Sequence, residues 1–153
     1  MEAFQVVISP DIVDVLRHEH RQIRQLCTDV QEAGPDRKKR SLIALQHAVH
    51  LHQLGELSVA HPAARNSSAE GDAVALTSQA NGEQVERLLT EIGHLGATHP
   101  DFDARFEVLA DALADHALHQ ERDEFPLLRR YVPTQRLHMM ASEMHDVQTM
   151  ARC

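Results

Sequence analysis

At 153 residues, with 42% apolar and 25% charged side chains, the chain has material for one soluble domain over 1–153 with a substantial core. A formal charge of −8 excludes a broad phosphate-binding face, so nucleic acid is not an expected partner. Membrane association is not expected either, since no stretch approaches the roughly 18 apolar residues of a membrane span.

Aromatic residues make up only 3% of the chain, which leaves Leu, Val, Ile, Ala and Met to build a core and favours helix-on-helix packing. The opening MEAFQVVISPDIV has an acid at position 2 and no apolar run long enough for a secretion signal. Cys27 and Cys153 form no disulfide framework, so a reduced, cytoplasmic setting is expected.

The first helix is predicted from about Asp11 to Ala33, with Ile12, Val15, Leu16, Ile23, Leu26 and Val30 as its apolar stripe and Gly34-Pro35 closing it. A second, from about Asp36 to Ala60, begins with the basic run DRKKR on its solvated side. It carries Leu42, Leu45, Val49 and Val59, and stops near Pro62. HPAARNSSAEGD then reads as a polar loop. The third helix, about Asp72 to Leu95, faces inward through Val74, Val85, Leu88, Leu89, Ile92 and Leu95, with Gly82 as a weak point. GATHPDFD turns the chain into a fourth helix, about Asp101 to Arg130, with Phe106, Leu109, Leu113, Leu127 and Leu128 inward and Pro126 loosening its end. Pro133 opens a fifth segment to about Ala151, whose Leu137, Met140, Met144, Val147 and Met150 stripe reads as core filler. The fold class is therefore all-α: an antiparallel four-helix bundle over about 11–130 with an additional C-terminal helix over about 133–151.

Twelve histidines depart from ordinary composition, and helical spacing separates them by face. His20 lies four after Leu16 and three before Ile23, with Glu19 bordering the same stripe. His52 lies three after Val49, and Glu56 follows it by one turn. His116 lies three after Leu113, flanked further on by Gln120 and Glu121. His18, His50, His119 and His138 fall off these stripes, and His61 and His99 precede prolines in expected turns. A lone inward histidine is ordinary. Three imidazoles from three helices together with two carboxylates need a shared partner, because buried Glu and His must be paired or lose their charge. A divalent cation supplies one, which makes His20, His52, Glu56, His116 and Glu121 candidate metal ligands.

LRHEHRQI, HQLGELSVAHP and HALHQERDEFP, in that order, resemble the haemerythrin-like family, the HHE cation-binding domain. Pro62 and Pro126 each lie ten residues after the histidine of their stretch. The resemblance implies an oxo- or hydroxo-bridged di-iron site and roles in oxygen binding, sensing, or reaction with peroxide or nitric oxide. His20 takes the place of the helix-one histidine, His52 and Glu56 those of helix two, and His116 and Glu121 those of helix four. Helix three departs from the pattern. Ser78 and Gly82 stand where the family places histidines, and His94 is more than three turns away. His61 departs too, standing where an aromatic usually precedes the proline.

The first metal position is thus expected intact and the second largely dismantled. The expected function is binding of one or two metal ions, iron foremost with zinc or manganese suited by the same ligands, and response to a small diatomic molecule or peroxide. A peroxide-decomposing, catalase-like enzyme and a metal-free regulatory bundle are the alternatives.

Overall fold

The computed structural model describes residues 9–152. The start of the amino-terminal segment and Cys153 lie outside the described residues. Every regular element among the described residues is helical: α1 (Ile12–Glu32), α2 (Pro35–Gly55), α3 (His61–Ser67), α4 (Ala69–Leu95), α5 (Phe102–His119), α6 (Phe125–Tyr131) and α7 (Thr134–Arg152). Two five-residue π turns complete the set. π1 (Glu56–Ala60) joins α2 to α3, and π2 (Gln120–Glu124) joins α5 to α6, so each forms one continuous rod.

Local chemistry sets these boundaries. Asp11 accepts a hydrogen bond from the Asp14 backbone N–H (2.9 Å) while the Asp14 carboxylate accepts from the Asp11 N–H (3.1 Å), a reciprocal cap that starts α1. Pro62 and Pro126 stand in the first turns of α3 and α6. A proline cannot donate to the carbonyl four residues back and its ring crowds that carbonyl. Widening the preceding turn absorbs both problems without breaking the rod.

Two expectations are corrected here. Pro62 does not stop the second helix, which continues through π1 into α3. HPAARNSSAEGD is not a loop, since it contains α3 and the start of α4. The one break within it is at Ser68, whose extended backbone carries a hydroxyl that accepts from the Gly71 N–H at 2.9 Å and caps α4. A β-carbon at Gly71 would collide with the Ala64 carbonyl, so the helical turn on either side closes too tightly for any larger residue.

In the four-helix bundle α1 packs on α2 and α4 on α5, while α7 lies along α1 and α2. Met144 of α7 fills the space a side chain at Gly55 would take, which seats the last helix at the head of π1. The apolar interior divides in two. One half gathers Ile23, Val49, Val85, Leu89, Phe106, Leu109 and Leu113 among others. The other gathers Leu16, Val59, Ala75, Phe125, Leu128, Met140 and Met144 among others. Between these halves every rod of the bundle interrupts its stripe at the same level: His20 on α1, His52 and Glu56 on the second rod, Ser78 on α4, His116, Gln120 and Glu124 on the fourth, all buried. No helix of the described residues is long and apolar enough to cross a membrane.

Burial alone would raise the Asp11 carboxyl, but the Asp14 N–H and the Arg129 guanidinium outweigh it and hold the group below its ordinary value. Asp11→Ala is therefore expected to cost about 1 kcal/mol in chemical denaturation at neutral pH. Because the folded-state pKa is depressed, that contribution is present above the unfolded value of about 3.9 and fades as the pH falls through the lower, folded one. A difference between the two proteins that persists undiminished in strong acid would contradict this account.

Candidate metal centre

His20 sits one turn beyond Leu16, and burial together with the charge on neighbouring His52 holds its pKa below the ordinary value. Its Nδ1 contacts Glu121 Oε1 at 3.2 Å, and its Nε2 lies 2.9 Å from the Gln120 side-chain amide. Phe125 stacks on the ring at 5.6 Å between centroids and fixes its plane.

His52 is held in the same way. Its Nδ1–H donates to Glu19 Oε1 at 2.8 Å, and its Nε2 directly faces Glu56 Oε1. Burial opposes a charge on this ring, yet Glu56 and Glu19 outweigh it and push the pKa up to about 10. Burial likewise works against the Glu56 carboxylate, but His52 and His116 hold it well below the usual range. Without metal, the centre of the layer is thus a buried imidazolium beside a buried carboxylate.

One donor atom each from His20, His52 and Glu56 lie within 4.8 Å of one another, the one such metal-sized group of His, Cys, Asp or Glu among the described residues. Two imidazoles and one carboxylate form a donor set suited to a divalent transition metal. The polar atoms of the layer also want a partner. His52 Nε2, Glu56 Oε1, His116 Nδ1, Gln120 Nε2 and Glu124 Oε2 are buried without a hydrogen bond. His52 and Glu56 meet charge to charge, in a geometry that forms none. A cation would satisfy what the side chains alone leave open, so the residues fit the group.

The remaining predicted residues are placed differently. His116 enters the layer and its Nε2–H donates to the second Glu56 oxygen, Oε2, at 3.2 Å. Glu121 does not join the central group. Its side chain remains 33% exposed at the rim, where it holds the outer nitrogen of His20. The fully buried groups of that stretch are Gln120 and Glu124. Gln120, four residues after His116, is the counterpart of Glu56, four residues after His52.

Two buried groups escaped the spacing rules. His61 lies in the layer, its Nδ1–H donating to Glu124 Oε1 at 2.9 Å and its Nε2 facing Glu56 Oε2 at 3.6 Å. Burial opposes its charge, but Glu124 and Glu56 push the ring up to about 9. At 3.6 residues per turn, a residue nine beyond His52 would face the opposite side of the helix. π1 turns it back. The signal that could have found it was the pair of prolines at matching distances from His52 and His116.

On α4, which is the third rod and so helix three of the bundle, Ser78 is buried with its hydroxyl unpaired. A β-carbon at Gly82 would sit 3.9 Å from His116 Cε1 and 3.7 Å from Gln53 Nε2. Gln53 instead fills this approach and donates to the Gly82 carbonyl at 3.1 Å. Beside it a cavity of about 310 Å³ is lined by Gln53, Glu56, His61, Gln79, Gly82 and Glu86, among others. On the opposite side a largely apolar groove of about 320 Å³ between α1 and α5 leads past Ile23, Cys27 and Leu113 to His20, His52 and His116. Burial pushes the Cys27 thiol up to about 11, which keeps it protonated and unreactive at neutral pH.

The hemerythrin HHE cation-binding domain, as a family, matches residues 11–128 of this sequence. The chain belongs to that family. A hemerythrin HHE cation-binding domain-containing protein from Mycobacterium kansasii has the same fold, with a TM-score of 0.80 at 19% identity, covering 93% of this chain and 90% of that one. A curated relative from Nostoc, described as a DNA nickase, is 26% identical over 134 residues, which is 87% of this chain. The chain spans 38% of that relative's length. Membership makes this a cation-binding domain, with His20, His52 and Glu56 placed where an ion could be held.

In the metal-free chain, His52 contributes stability that is complete below its unfolded pKa of about 6.5. That contribution is lost as the pH rises through about 10. Glu56→Gln is expected to narrow this window. The imidazole C–H resonance of His52, followed by NMR in the metal-free protein, would titrate at lower pH than in the parent. An unmoved titration would mean that Glu56 is not what holds the proton.

Proposed function

We propose that this chain is a non-haem iron protein that binds, and responds to, oxygen, peroxide or nitric oxide. The observation that carries this reading is the buried trio His20, His52 and Glu56 within 4.8 Å. Two imidazoles and one carboxylate are the ligand set that leaves positions open on ferrous iron. When bound, iron supplies those open positions and an electron for a small oxidant.

The protein's own residues account for the rest. Glu19 on His52 and Glu121 on His20 hold the outer ring nitrogens and so aim the inner ones, as outer carboxylates do around metals. The Gln120 amide, with one polar atom unpaired, lies beside His20 as a hydrogen-bonding group for a small ligand. The groove between α1 and α5 is wide enough to admit a molecule of a few atoms, and most of its wall is apolar. A net charge of −8 speaks against DNA as the partner of this domain, and the nicking activity in the Nostoc relative's description belongs to a much longer chain.

Elemental analysis of protein produced with ample iron is expected to find iron at one or more per chain. His52→Ala is expected to lower that content at least tenfold while the helical circular dichroism is retained. Nitric oxide added anaerobically to the ferrous protein is expected to change its visible spectrum. A parent protein that leaves purification without iron and takes up none when it is offered would overturn the reading.

A further inference from the structure

Glu56 presents its two oxygens to two different groups of imidazoles. Oε1 meets His52, beside His20. Oε2 faces the other way, 3.2 Å from His116 Nε2 and 3.6 Å from His61 Nε2. Two donors each about 2.1 Å from one ion stand about 3.0 Å apart at right angles and about 3.4 Å apart in a tetrahedron. The spacings around Oε2 are thus close to those of neighbouring ligands on a metal.

His61 is also held as a ligand would be. A carboxylate grips its outer nitrogen, Glu124 on His61, just as Glu19 grips His52 and Glu121 grips His20. This fixes the tautomer that leaves Nε2 facing inward and raises the basicity of the ring. Glu124 is completely buried and its second oxygen is unpaired. Among the described residues the one hydrogen bond of this carboxylate is to His61. Space is available as well, since the cavity of about 310 Å³ opens beside Glu56, His61 and Gly82.

We propose that His61, His116 and the second oxygen of Glu56 form a second cation position, with Glu124 as the positioning residue for His61. This replaces the imidazoles that helix three does not supply, and it rests on the metal-binding reading of the first position. Glu56 would then offer one oxygen to each of two ions, with the donors of the second position drawn from the second and fourth rods. The three donors are not all within the 4.8 Å that encloses the first trio, so holding one ion would require His61 and His116 to close inward around Glu56.

The test is anomalous diffraction at the iron edge from crystals of the full chain loaded anaerobically with ferrous iron alone. Two peaks are expected, one at His20, His52 and Glu56 and a second within about 2.3 Å of His61 Nε2 and in contact with His116. A peak at the first trio with His61 left out of reach would overturn the second position while leaving the proposed function standing. No peak at either position would overturn both.

In solution, ferrous titration of His61→Phe is expected to fall from two ions per chain to one, with the affinity of the remaining site changed less than threefold. Glu124→Gln keeps the shape of the buried residue, and is expected to weaken only the second ion, about 10- to 100-fold. Two-ion binding of unchanged affinity in both variants would refute the assignment.

Discussion

A carboxylate sealed away from water, with an imidazole group on each of its oxygens, is the constraint around which this bundle is organised. Left alone in an apolar interior, the Glu56 charge would be expensive enough to force it to protonate. It stays ionised because His52 and His116 reach it from two different rods. His52 lies one turn from Glu56 on the same rod, but His116 can reach it only if the bundle is closed, and it closes because an apolar half lies on each side of the polar layer. Removing one partner would leave the other charge buried and unmatched, which costs more than the pair contributes.

Most of the frame was legible in the sequence. The stripes of α1, α2, α4 and α5 are continuous at helical spacing except where His20, His52, Ser78 and His116 interrupt them, and those interruptions align in space. Three of them carried the first candidate ligands. What spacing could not convey was the change of phase at π1 and π2. A rule of 3.6 residues per turn holds until the chain stops obeying it, and from the π turns onward, ahead of Pro62 and Pro126, the inward face is displaced. For that reason His61 read as a turn residue though it is buried. Glu121 read as inward though it lies at the rim, with Gln120 and Glu124 taking the interior on either side of it. The polar composition of residues 61–72 concealed a second kind of information, since Ser68 and Gly71 act there as a cap and a close contact within helices, where a loop seemed indicated.

Helix three shows how family membership and ligand inventory can separate. Gly82 leaves room for a β-carbon next to His116, and Gln53 reaches from the neighbouring rod to close off the space beyond it. The backbone of α4 keeps its register through this region, with Ala75 and Val85 buried on either side. The fold therefore does not need imidazole from this helix. Gln53 supplies volume and a hydrogen bond to the Gly82 carbonyl, while the imidazoles and carboxylates of the layer come from the other rods.

The last helix is joined to this layer by more than packing. Gln148 of α7 donates to Glu19 Oε2 at 2.9 Å and to the Leu51 carbonyl at 3.0 Å, and Glu19 in turn grips His52. The amide thus touches the same carboxylate that accepts from the Nδ1–H of His52. Seating of the terminal helix and protonation of that ring draw on one shared carboxylate, and any free energy that couples them acts equally in both directions.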